Sequence, residues 1–208
     1  MPSTLLPALQ KTIQKLVSEF ELIPEDRKPI INDLTDFIRQ KSRAGEKIKL
    51  NFICTHNSRR SHISQLWAQT AAHYFGIANV QTYSGGTEAT AFNPRAVKAM
   101  KGAGFEISVK QNGGNPVYEA RYANGKPALT LFSKKYDDHF NPNSDFAAIM
   151  TCSHADENCP LVIGASKRIA LTYNDPKDFD GTSQEEEKYS ERVHEIGREI
   201  LYAFSQVK

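Results

Sequence analysis

From Lys47 onward, short apolar runs of strand length alternate with stretches whose apolar residues recur at helical spacing, and this alternation constrains the fold more than any other feature. Strands alternating with helices imply a parallel sheet covered by those helices. Lys47 to Ile53 is expected to form a first buried strand, and a helix should begin near Arg60, with Leu66, Trp67, Thr70, Ala71 and Tyr74 inward as far as Gly76. Asn79 to Tyr83 reads as a second strand before a Gly85-Gly86 turn. Asn93-Pro94 supplies an N-cap and a first-turn proline for a helix over Arg95 to Lys101, stopped by Gly102 and Gly104. Asp145 to Thr151 and Arg168 to Tyr173 complete the strands. Gln184 to Val207 is a long terminal helix with Tyr189, Val193, Ile196, Ile200, Leu201 and Phe204 inward.

Two segments stand outside this alternation. Residues from about 3 to 43 read as two amphipathic helices, with Leu6, Leu9, Ile13, Leu16, Val17 and Phe20 on one face and Ile30, Leu34, Phe37 and Ile38 on another. Between about 110 and 143, Val117 to Tyr122 and Ala128 to Phe132 are expected to pair as a hairpin through Asn124-Gly125. The expected organisation is therefore an N-terminal helical extension over 1–45 and a main domain over 46–208 that carries the inserted hairpin.

The 26 basic and 24 acidic residues leave a formal charge of +2, too balanced to point to nucleic acid or a membrane surface as the main partner. The N-terminus has no continuous apolar segment of signal-peptide type, and no stretch is long enough to span a bilayer. A cytoplasmic location is expected, where thiols stay reduced and a cysteine is more often chemical than structural. The chain has three: Cys54, Cys152 and Cys159.

Cys54-Thr55-His56-Asn57-Ser58-Arg59-Arg60-Ser61 falls where the first strand ends and a helix starts. A loop in that position aims several backbone amides at one point, and the helix dipole favours an anion there. Arg60 adds a planar fork matched to two oxygens of a tetrahedral oxyanion, and Ser61 can hydrogen-bond the sulfur. The same positive surroundings stabilise negative charge on Cys54, the form that attacks. His56 reads as an exposed loop residue and Arg59 as solvent-facing, although both belong to the candidate anion loop of Thr55, His56, Asn57, Ser58, Arg59, Arg60 and Ser61. A thiolate that displaces a leaving group needs an acid nearby, and Asp175 before Pro176 follows a strand. Cys152 and Cys159 lie seven positions apart. With His154 they leave a zinc set incomplete, so no metal and no cofactor are expected. Two unrelated buried thiols remain an open reading.

The loop, with Asn57 inside it, resembles the phosphate-binding loop of low-molecular-weight protein tyrosine phosphatases and thioredoxin-coupled arsenate reductases, two families that share one fold. The likeness extends through Tyr83-Ser84-Gly85-Gly86, Asn93-Pro94-Arg95-Ala96-Val97 and Gly104-Phe105-Glu106-Ile107, and resumes from Asp145. It implies an α/β three-layer sandwich around a four-stranded parallel sheet, preceded here by the helical extension, with Asp175 as the Asp-Pro acid. The segment from Cys152 to Pro160 resembles the redox loop of the arsenate reductases, in which two further cysteines carry oxidation away from the first. The resemblance thus implies arsenate reduction with thioredoxin as reductant. A phosphatase hydrolysing phosphoesters and a non-catalytic oxyanion-binding or redox-sensing module are the alternatives. His56 stands where those families usually have glycine and Arg59 where they often have another residue, which implies altered loop conformation, charge and substrate access.

Overall fold

The computed structural model describes residues 4–159 and 161–207, so the first three residues of the expected extension, Pro160 and Lys208 lie outside the described residues. In chain order the elements are α1 (Pro7–Ser18), α2 (Lys28–Arg43), β1 (Ile48–Cys54), α3 (Arg60–Phe75), β2 (Val80–Gly86), α4 (Pro94–Gly102), β3 (Glu106–Gln111), β4 (Val117–Arg121), β5 (Leu129–Leu131), β6 (Phe146–Met150), α5 (Ser153–Asn158), β7 (Ala165–Ile169) and α6 (Glu185–Ser205). A four-stranded sheet runs β2-β1-β6-β7 with every pairing parallel. Helices flank it, so the α/β sandwich expected from the alternation is the fold. β1 sits inside the sheet, and its carboxyl end is where ligand sites of open parallel sheets form.

Side chains of a strand alternate between faces, and here the two faces meet different surroundings. Leu50 and Phe52 of β1 and Ala147 and Ile149 of β6 join the main core with Trp67 of α3 and Val193, Ile196 and Ile200 of α6. Ile53 and Cys54 of β1 and Phe146, Ala148 and Met150 of β6 join a second apolar cluster with Ala155 of α5. The N-terminal helices enlarge the main core: Leu9, Ile13 and Leu16 of α1 and Ile31, Leu34, Phe37 and Ile38 of α2 are buried in it, while Val17, Phe20 and Ile30 are only partly covered. α1, α3 and α6 meet at Gly197, where an added Cβ would lie 2.6 Å from the Trp67 ring and 2.9 Å from Leu16. No larger residue fits that helix crossing.

Three local expectations are corrected and a fourth is extended. Gly85-Gly86 is no turn but the end of β2, glycine because the chain crowds it: a Cβ at Gly85 would stand 2.3 Å from the Tyr136 backbone, and one at Gly86 2.7 Å from the Asn57 amide. The expected hairpin forms as β4 paired antiparallel with β5, and β3, which was not expected, pairs with β4 and extends it to a three-stranded sheet. The last parallel strand is Ala165–Ile169, earlier than Arg168 to Tyr173. Leu171 and Tyr173 are buried beyond the sheet's end, and that burial mimics a strand pattern. Tyr74, expected inward, is exposed.

Candidate active site

The loop between β1 and α3 is held from outside through its carbonyls. Thr55 O accepts from the Glu88 amide at 2.8 Å and the Thr87 hydroxyl at 3.1 Å, His56 O from the Ser133 hydroxyl at 2.9 Å and the Thr90 hydroxyl at 3.1 Å, and Ser58 O from the Asn93 amide at 2.9 Å. Among the described residues, no protein acceptor takes the amides of His56 to Arg59. The carbonyls are thus tied outward and the amides are left over at a helix N-terminus, an arrangement that favours negative charge.

Its shape depends on Asn57, which is fully buried with φ of +44°. Asparagine tolerates that left-handed conformation better than most residues. Its side-chain amide donates to Ser61 Oγ at 2.8 Å and its Oδ1 accepts from the Lys134 amide at 2.9 Å. Ser61 Oγ lies 3.1 Å from Cys54 Sγ. Asn57 takes the only positive φ in the loop, so His56 needs no glycine-like freedom in this backbone. His56 is half exposed, 3.6 Å from the Glu88 carboxylate, in keeping with the surface position expected of it.

Arg60 opens α3. Its guanidinium donates to Tyr173 O at 2.8 Å and to Asp175 Oδ2 at 2.6 Å, while its buried Nε has no partner among the described residues. Asp175 also caps the short 3-10 turn Pro176–Phe179 by accepting from the Lys177 amide at 3.1 Å. Arg59 does not face solvent as expected. It donates to Tyr189 Oη at 2.7 Å and to Asp180 at 3.2 Å, and Tyr189 Oη donates to Asp180 at 2.7 Å. Burial pushes the Tyr189 phenol up to about 12. Arg59 thereby fastens the segment after Asp175 to α6 rather than pointing away from it.

Cys152 follows β6 as Cys54 ends β1, and β1 and β6 are parallel neighbours, so both thiols come to the same edge of the sheet. Cys152 Sγ lies 3.4 Å from Thr55 Oγ1 and accepts from the Ala155 amide at 3.4 Å as N-cap of α5. Cys159 ends α5. All three cysteines are free thiols and share the second apolar cluster, with Cys159 the most exposed at 8%. Arg168 of β7 holds the α5 segment by donating to Asp156 O at 2.5 Å and Cys159 O at 3.4 Å. Among the described residues, no group of three His, Cys, Asp or Glu side chains is placed to hold a metal.

Sequence reasoning missed Lys134, Tyr136, Arg168 and Asp180. Lys134 follows the antiparallel sheet, is 6% exposed, and lies with its ammonium 4.7 Å from the Phe132 ring centroid. Burial lowers its pKa to about 8. His62 on α3 is held well below its usual range, by burial first and Lys134 second. Tyr136 packs against the cysteine cluster, where burial and then Cys159 raise its pKa. No short motif marks these residues, because each reaches the site through tertiary packing.

No family model matches the chain. It is 33% identical over 155 residues to an arsenate reductase of Bacillus licheniformis, covering 74% of this chain and 93% of that protein. It is 31% identical over 150 residues to an arsenate reductase of Bacillus subtilis, covering 72% and 89%. Among solved structures it is similar to a thioredoxin-dependent arsenate reductase of Corynebacterium glutamicum, with 19% identity, TM-score 0.42, and coverage of 88% of this chain and 72% of that one.

Proposed function

The chain belongs to the arsenate reductase family, which shares its fold with low-molecular-weight protein tyrosine phosphatases, and from that membership we propose that it reduces arsenate to arsenite by a relay through Cys54, Cys152 and Cys159. The observation that carries the relay is the clustering of all three free thiols in one apolar patch at the end of β1 and β6, beside a loop whose amides have no protein acceptor among the described residues.

Arsenate binds the amides of the Cys54–Ser61 loop with the fork of Arg60, and the Cys54 thiolate displaces one oxygen, which leaves as water after taking a proton from Asp175. Cys152 then attacks Cys54 Sγ. The sulfur–arsenic bond breaks with its electron pair going to arsenic, so arsenite leaves and a Cys54–Cys152 disulfide forms. Cys159 exchanges into that disulfide at Cys152, which frees Cys54 and moves the oxidised pair to the most exposed of the three thiols. A dithiol protein, thioredoxin, returns the two electrons.

Purified protein supplied with arsenate, thioredoxin, thioredoxin reductase and NADPH is expected to consume NADPH only when both arsenate and thioredoxin are present. The anion loop and Asp175 alone suit a phosphoester hydrolase, in which water resolves a phosphocysteine. Phosphatase turnover without arsenate-dependent NADPH loss would favour that second reading.

A further inference from the structure

The chemistry above draws nothing from the N-terminal helices, yet one of their side chains reaches the residue that holds Arg60. Arg27, at the start of α2, grips Glu199 of α6 with two hydrogen bonds, Nε to Oε1 at 2.9 Å and Nη2 to Oε2 at 2.7 Å. Glu199 is 2% exposed, so the pair is a buried one in which each charge depends on the other. The same guanidinium lies 5.2 Å from the centroid of the Tyr173 ring. Burial and the neighbouring Glu199 carboxylate hold the Tyr173 phenol well above its usual range, so the ring packs in its neutral form under the cation.

Tyr173 occupies a junction. Its amide donates to Thr151 O at 3.1 Å, next to Cys152, and its carbonyl accepts from Arg60 Nη1 at 2.8 Å. Asp175, two residues on, takes the other Arg60 amino group. Fixing the Tyr173 ring therefore fixes the carbonyl that sets the plane of the Arg60 fork, and a guanidinium recognises an oxyanion through that plane. The extension is otherwise fastened to α6 by features remote from the loop, such as Thr35 Oγ1 donating to Ala203 O at 3.0 Å. Arg27 is the contact that runs from the extension towards the site.

We propose that Arg27 is a positioning residue for oxyanion binding, acting through Tyr173 to hold the Arg60 fork, and that this gives the N-terminal extension a part in the chemistry. The proposal rests on reading Cys54–Ser61 as the anion loop. Its test uses inorganic phosphate as probe, with binding read as protection of Cys54 from iodoacetamide by peptide mass spectrometry. Arg27→Met combined with Glu199→Gln removes both charges of the pair without stranding either. In the full chain, with circular dichroism as for the unaltered protein, it is expected to raise the half-protecting phosphate concentration about tenfold, the effect of one misplaced charge-assisted hydrogen bond. Arg27→Lys keeps the charge and loses the two-pronged grip. It is expected to raise the concentration about threefold, and it decides the matter if the double variant does not fold.

Half-protection unchanged in the folded variants overturns the proposal, since a purely structural role for Arg27 would lower the melting temperature and leave phosphate affinity alone. Absence of phosphate protection in the unaltered chain overturns the anion-loop reading as well. Failure to reduce arsenate alongside the expected loss of affinity retires the substrate assignment and supports the positioning role, because protection requires no turnover.

Discussion

Asn57→Ala is expected to be among the most damaging substitutions that touch no titrating group. Three costs fall together at this fully buried position. The bond to Ser61 Oγ goes, the Lys134 amide loses its acceptor, and alanine must take a φ of +44°. A buried donor left unpaired costs about 1–3 kcal/mol, a lost hydrogen bond about 1 kcal/mol, and a left-handed alanine about 1 kcal/mol or more. The combined loss is about 4 kcal/mol, a large share of the stability of an ordinary domain. Urea unfolding near neutral pH measures it, provided the slope with denaturant is unchanged. Asn57→Gly is the control: it loses the same hydrogen bonds but not the backbone compatibility, so it should be the more stable of the two by about 1 kcal/mol. A loss below about 1 kcal/mol in Asn57→Ala, or alanine and glycine variants of equal stability, would refute the argument that Asn57 is both the loop's hydrogen-bond hub and its left-handed hinge.

The remaining expectations concern the acid, a buried cation and a crowded strand. Asp175→Asn keeps size but donates no proton, so single-turnover chemistry should slow by about 10²- to 10⁴-fold while phosphate still protects Cys54 from alkylation; normal chemistry with lost phosphate affinity would contradict the assignment. The Lys134 pKa, lowered by burial to about 8, implies that the unfolded chain binds the extra proton between that pH and the free value of 10.5. Its penalty is therefore full below pH 8 and relieved as pH rises through that window, and urea midpoints of the unaltered chain should climb relative to Lys134→Met between pH 8 and 10; a constant difference across that range would count against it. Gly85→Ala places a Cβ 2.3 Å from the Tyr136 backbone and should displace the segment that covers the cysteine cluster, read as faster alkylation of Cys159. Unchanged reactivity there would mean the segment yields without consequence.

What was legible in the sequence was what local chemistry writes into neighbouring residues. Cys54 through Ser61 occupy a strand-to-helix junction, and the end of β1 and the start of α3 at Arg60 both follow from that short stretch. The apolar faces of α1, α2 and α6 followed from periodicity because all three helices bury one side. The α3 face was less legible, since its polar Ser61, His62, Ser64 and Gln65 are buried too and Tyr74 is not. The Gly85-Gly86 pair was misread because two adjacent glycines signal a turn locally, whereas their reason is the approach of Tyr136 and Asn57 from distant parts of the chain. Arg59 was placed in solvent because its partners Asp180 and Tyr189 are more than a hundred residues away. Arg27 and Lys134 carried no local sign either: each reaches the site only through side chains that the fold brings together.

The most direct test of the relay uses Cys159→Ser treated with arsenate in the absence of reductant, then alkylated and mapped by mass spectrometry. With the third thiol missing, the oxidation has nowhere to go beyond Cys152. About one arsenite per chain should be released, and a disulfide joining Cys54 to Cys152 should accumulate. If Cys159→Ser instead cycles normally with thioredoxin, or if arsenate never produces a disulfide that includes Cys152, the three-thiol account is wrong.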